Sequence, residues 1–245
     1  IMQFTGTLCP NCPVMRSEIQ KAVDYYPEGV VQVAVLHLDG KFCSSGLAGA
    51  LGQTANTITP EFFPSCLAEL YYPVALYPTN TPTELRRALK QTSTVSLSGI
   101  AIESQVNGTD IDFTVKVKAS ETKQFHFFAF IVEDDITYPQ TVWGEEEEEK
   151  DMYFVHNEVA TFQLPGTGPL DPFTGIDLGV IGTGKVVTQS FSIHTKDYNT
   201  RRTVNLSNCR IIGYTLREGW DGKYAIDNVI NCPVNGSVPY IYKEE

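Results

Sequence analysis

Two cysteines stand one helical turn apart near the start of the chain, in Cys9-Pro10-Asn11-Cys12-Pro13. Thiols at that spacing can cycle between dithiol and disulfide, provided something stabilises a thiolate. The flanking residues supply it. A short apolar run (Ile1-Met2-Gln3-Phe4) and a Thr5-Gly6 turn precede the motif, and a helix-like segment from Val14 to Tyr25 follows. A cysteine in the first turn of a helix faces unpaired N–H groups and the positive end of the helix dipole. Pro10 suits that turn, since its missing N–H would have had no partner there. Redox chemistry is the leading expectation, and a structural clip is its competitor. Half of a zinc site is a poorer fit, because no second Cys-x-x-Cys exists and the four histidines (His37, His126, His156, His194) are scattered.

The elements that must hold this motif change character along the chain. Up to about Ser93, strand and helix patterns alternate. Val30 to Leu38 reads as a buried strand, Ser45 to Gln53 and Pro60 to Leu70 as helices, and Tyr72 to Tyr77 as another buried strand. Thr83 to Gln91 is an amphipathic helix. Such an order argues for a sheet with helices on its faces. From Thr94 the runs are short and strand-like: Ile100–Val106, Ile111–Ala119, Phe125–Val132, Tyr153–Leu164, Lys185–His194, Thr203–Arg217 and Lys223–Asn231, divided by turns such as Asn107-Gly108. Repeated short strands with Gly and Pro turns predict an antiparallel β-sandwich of the immunoglobulin type. The expected class is α+β in two domains, 1–93 and 94–245.

Composition narrows the function. With 245 residues, 42% of them hydrophobic, the chain can bury one large core or two ordinary ones. A mean hydropathy of −0.13 and the lack of a spanning apolar run argue against a membrane-embedded protein. A net charge of −11 disfavours nucleic acid and anionic lipid as partners. The six cysteines hint at an oxidising compartment. Ile1 falls in what reads as mid-strand, so a longer natural N-terminus is expected.

The last hairpin yields a pairing. A four-residue loop, Gly219-Trp220-Asp221-Gly222, would set Glu218 opposite Lys223 and Cys209 opposite Cys232. Cross-strand Cβ atoms lie ~5 Å apart, near disulfide range once the sheet twists. A Cys209–Cys232 bridge is therefore expected, leaving Cys43 and Cys66 as a second pair by elimination.

Cys9-Pro10-Asn11-Cys12 and Tyr72-Pro73-Val74 together resemble thioredoxin-like proteins, the first in its glutaredoxin-like Cys-Pro-x-Cys form. The resemblance implies a thioredoxin-like first domain, with residues 45–70 inserted. It also implies a cis Tyr72–Pro73 bond, with Pro73 offering its backbone to an extended substrate. Leu8 stands where the family commonly carries an aromatic residue, and Pro13 follows the second cysteine. A wider likeness runs through Phe4-Thr5-Gly6 with Cys9, Cys12 and Pro13, then Val35-Leu36-His37 and Phe130-Ile131-Val132-Glu133-Asp134. It continues with Pro139-Gln140, His156-Asn157-Glu158-Val159 and Asn228-Val229-Ile230-Asn231. In that order these resemble the outer-membrane-protein-twenty-eight-related lipoproteins of Bacteroidetes. This likeness implies an exported protein at the outer membrane, tied to the membrane only through an N-terminal lipid anchor outside the sequence.

Other features suit bland roles. His156 sits in a strand-like setting where loop-bonding is the simpler role. His37, at a strand end near the dithiol, either tunes a thiolate or caps the strand. Glu145 to Glu149 reads as a solvated hairpin loop, since calcium would need alternating ligands and turn glycines. Asp171 to Asp177 reads as a loop. The triplets at Asn107, Asn205 and Asn235 matter only in a eukaryotic secretory route. Gly179 to Lys185 lacks the helix that a phosphate loop needs. No metal or cofactor site is expected. The expected function is thiol–disulfide exchange on a protein or peptide dithiol, with Cys9 attacking, Cys12 resolving and Pro73 at the substrate. The alternative is a non-enzymatic surface or adhesion protein that binds through its sandwich, with Cys9–Cys12 structural.

Overall fold

The computed structural model describes residues 1–42, 64–70, 72–75, 81–92, 95–144, 149–164, 174–198, 200, 202–219, 222 and 224–240. The expected helix over 45–53 and Cys43 lie outside them. The chain divides into two compact units, built from alternating stretches. The first comprises Ile1–Thr94, Val132–Thr161 and Thr200–Val204, and the second Val95–Ile131, Phe162–Asn199 and Asn205–Glu245.

In the first unit, β1 (Met2–Thr5) pairs parallel with β2 (Ala34–His37) and antiparallel with β3 (Ser65–Ala68), which pairs antiparallel with β4 (Tyr72–Ala75). All residues of β1, β2 and β3 are buried, as expected of strands covered on both faces. Helices α1 (Cys12–Val23) and α2 (Thr81–Thr92) cover one face. Met15 and Ile19 from α1 and Leu85 and Leu89 from α2 meet Val35, Cys66 and Val74 there. A later segment completes the unit. Strand β8 (Ile136–Trp143) forms a two-stranded ribbon with β9 (Glu149–His156), and Val159 of β10 (Val159–Gln163) pairs parallel with Val35.

In the second unit, β7 (Lys123–Glu133) is flanked by β11 (Ile176–Ile181) and by the β13 (Cys209–Glu218)–β14 (Tyr224–Pro233) hairpin. A four-stranded sheet runs β12 (Val186–His194), β6 (Asp110–Ala119), β5 (Ser98–Asn107), β15 (Ser237–Val238). At Gly213 an added Cβ would lie 2.9 Å from the Phe127 ring and 3.2 Å from Ile102, so only glycine lets β13 approach that closely.

The expected class, a thioredoxin-like α/β domain followed by an antiparallel sandwich, is overturned. Strand makes up 54% of the structure and helix only 15%, with two α-helices among the described residues and a mixed sheet. The sequence pattern misleads at a definite place. Ser65–Ala68, expected at the end of a helix from Pro60, is a buried strand, and Glu69 and Leu70 then turn through left-handed backbone (φ 54° and 61°). Ser65-Cys66-Leu67-Ala68 contains no β-branched or aromatic residue, so propensity alone gave no strand signal, and burial on both faces decided the outcome.

The Cys209–Cys232 pairing also needs correction. Glu218 pairs with Tyr224 rather than Lys223, and a bulge at Asp227 shifts the register, so Cys232 lies opposite Ile211. Neither sulfur is in a disulfide: Cys209 Sγ donates to the Asn205 carbonyl at 3.4 Å, and Cys232 Sγ to that of Pro233 at 3.4 Å. Cys66 is a buried free thiol, which burial pushes up to about 12, so it is inert at neutral pH.

Candidate functional site

Cys9 and Cys12 form a disulfide, with Cα atoms 5.4 Å apart. The loop from Gly6 to Asn11 links the end of β1 to the start of α1, and Cys12 is the first residue of that helix. Two backbone turns fold it: Cys9 N–H donates to Gly6 O at 3.2 Å, and Cys12 N–H donates to Cys9 O at 3.1 Å. The two cysteines are not equivalently placed. Cys12 is 2% exposed, whereas Cys9 is only half-buried and follows Leu8, which is 74% exposed. An attacking thiol from outside reaches Cys9 first.

The loop is gripped from a segment more than a hundred residues away in sequence. Gln140 of β8 is 3% exposed, and its Nε2 donates to Cys9 O at 3.0 Å, Gly6 O at 3.3 Å and Thr141 O at 3.1 Å. Because every partner is a carbonyl, the amide nitrogen and not the oxygen must face the loop. Thr141 N–H donates to Thr7 O at 2.8 Å, and the Trp143 indole N–H donates to Asn11 Oδ1 at 2.8 Å. Asn11 is the N-cap of α1, yet its side chain makes no cap bond; the indole holds it instead. From below, Gln3 Nε2 donates to Cys12 O at 3.4 Å.

A polar cluster lies behind the loop. Asp39, just past β2, accepts from Thr7 N–H and Thr7 Oγ1, each at 2.7 Å. Burial pushes the Asp39 carboxyl up, but the Thr7 bonds, His37 and the Lys41 N–H outweigh it and the net shift is down. His37 and His156 are both buried, with ring centroids 5.2 Å apart, and Phe42 packs on each. Burial, then the neighbouring His156, hold His37 down to about 3; burial also lowers His156. Both are therefore neutral imidazoles at physiological pH. Arg202 stacks its guanidinium 5.7 Å from the Phe42 ring and donates to Glu133 at 2.6 Å. Arg16 of α1 pairs with Glu158, which starts β10 from left-handed backbone.

The sequence-predicted residues are thus partly assembled. Cys9 and Cys12 meet; Pro73 lies exposed on β4, two strands from β1, opposite Leu67. Gln140 and Trp143 carry no motif on their own, and Pro139 argues against a strand where β8 runs. Among the described residues no group of three or more His, Cys, Asp or Glu is placed to hold a metal, and no helix is long and apolar enough to cross a membrane.

Comparison with protein-family models gives no match to this chain, and comparison with curated proteins gives none either.

Proposed function

We propose that the protein carries out thiol–disulfide exchange through Cys9 and Cys12, on protein or peptide substrates of the cell envelope. The observation that carries this is the asymmetry of the pair: a disulfide at a helix start in which Cys9 is half-buried and Cys12 is sealed. In the oxidised protein a substrate thiolate attacks Cys9 Sγ. The Cys9–Cys12 bond breaks, and its electron pair leaves on Cys12 Sγ, at the N-terminal end of α1, where the dipole favours negative charge. A second substrate thiolate then attacks the substrate sulfur of the mixed disulfide and expels Cys9 as thiolate. The substrate dithiol loses two electrons and, as its thiols ionise, releases two protons to solvent; the protein pair gains the two electrons and takes two protons from solvent as it becomes the dithiol. The reverse sequence, with Cys9 attacking and Cys12 resolving, reduces a substrate disulfide.

The envelope setting rests on the resemblance to exported Bacteroidetes lipoproteins and on the Cys9–Cys12 disulfide, and the net charge of −11 disfavours nucleic acid as the partner. A glutathione redox titration, paired with a Cys12→Ser variant that strands mixed disulfides on Cys9, tests the chemistry. A midpoint between about −120 and −270 mV with trapped partners is expected. A midpoint below about −300 mV with nothing trapped would make the pair a structural clip.

A further inference from the structure

We infer that Gln140 is a positioning residue for the Cys9–Cys12 couple: through the Cys9 carbonyl it sets how strongly the protein favours the disulfide over the dithiol. The inference rests on the proposed redox role for its biological meaning, but its measurement does not. The Cys9 carbonyl is the pivot of the motif. It accepts the Cys12 N–H at 3.1 Å, which closes the turn that brings the two Cα atoms to 5.4 Å, and it accepts Gln140 Nε2 at 3.0 Å. The same amide holds Gly6 O at 3.3 Å, the acceptor of the Cys9 N–H. Both backbone turns of the loop are therefore anchored on one side chain that is sealed from water.

The thermodynamic consequence has a definite sign. In the disulfide, the covalent bond itself restrains Cys9 against Cys12. In the dithiol, only the turn and its anchor do so, and the effective concentration of one thiol at the other depends on them. Removing the anchor frees the dithiol more than the disulfide. Ring closure then loses more entropy, and the couple becomes more oxidising. Hydrogen bonding that merely supported the fold would lower stability in both redox states and leave their ratio alone.

The experiment compares the equilibrium of intact wild-type and Gln140→Met protein with a glutathione buffer, following the Cys9–Cys12 pair by thiol alkylation and mass. Methionine keeps the length and removes the donor. The constant for disulfide formation is expected to fall three- to ten-fold, and ten-fold corresponds to about 30 mV. Gln140→Leu also lacks the donor and serves if Gln140→Met fails to fold. In Gln140→Glu, loss should appear when the carboxylate is ionised and recover as acid pH restores an O–H donor. Constants within two-fold of wild type in the folded variants would overturn the positioning role. A wild-type midpoint below about −300 mV would instead remove the exchange function, and the variant ratio would still judge Gln140.

Discussion

His37 and His156 sit neutral in the first unit, and that places a proton demand on folding. In the folded chain His37 is held down to about 3, by burial first and by His156 second; Arg202 also lowers it, while Asp39 opposes. In the unfolded chain the same imidazole titrates at its ordinary value of 6.5. Between those values the unfolded state binds a proton that the folded state does not, so stability rises with pH. The contribution is complete above about 6.5 and is lost as pH falls towards 3, at about 1.4 kcal/mol per pH unit for His37. His156 is lowered by burial too, with no partner for its Nε2 among the described residues and with the Tyr138 backbone and Asp39 acting against the shift, so it steepens the upper part of the window. Urea midpoints measured from pH 7.5 to 4 should show this decline. A His37→Leu variant should flatten it by about one proton, whatever its stability at neutral pH. An unchanged slope would show that His37 is protonated in the folded state. At this scale the sequence was legible where residue type alone carries chemistry, as with the two cysteines. It placed Gln140 in a likeness but gave it no role, since an amide becomes a positioning group only through the carbonyls that tertiary structure brings to it.

Among the elements, the β13–β14 hairpin shows how a single inserted residue rewrites an inference. Thr215 pairs with Asn228 and Leu216 with Ile226, leaving Asp227 as the extra residue of a bulge. The bulge turns its carboxylate inward, where its side chain is 0% exposed. There it accepts from Arg217 Nε at 2.7 Å, Ser98 Oγ at 2.6 Å, Leu97 N–H at 3.0 Å and Ser96 Oγ at 3.1 Å. One carboxylate thus ties the start of β5 to the hairpin within the second unit. Asp227→Ala would leave Arg217 and two hydroxyls facing a buried gap, and should cost about 3–5 kcal/mol in chemical denaturation. A loss under about 1 kcal/mol would mean that water replaces the carboxylate at no great cost. Strands β5 and β6 were legible because they alternate and end at turn residues, β7 because Phe125–Val132 is an almost unbroken apolar run, and α2 because Thr81–Thr92 keeps one apolar face. The bulge was not, because Ile226-Asp227-Asn228 carries no glycine or other local mark of a broken ladder. β8 escaped for a similar reason: Pro139 reads as a strand breaker, yet the ribbon pairs it with Tyr153 at a position that tolerates the missing N–H.

Across the whole molecule, order along the chain and order in space part company. The first unit takes its sheet from residues 1–94 but also its β10 strand, its β8–β9 ribbon and Arg202 from two later stretches. Phe42 packs with Ile136 and Val159, and Glu133, Thr161 and Arg202 bond together beside it. A fragment ending at residue 94 would expose Phe42, the edge of β2 at Val35 and the underside of the dithiol loop that Gln140 and Thr141 cover. An open edge beside uncovered apolar side chains removes a large part of what offsets chain entropy in so small a unit. Fragment 1–94 should therefore show no cooperative thermal transition, and its Cys9–Cys12 pair should equilibrate with glutathione like that of an unstructured peptide. A two-state melt together with the full-length redox equilibrium would show instead that the helices and β1–β4 are self-sufficient. It would also make the later segments dispensable to the dithiol, in direct conflict with the grip that Gln140 is inferred to exert.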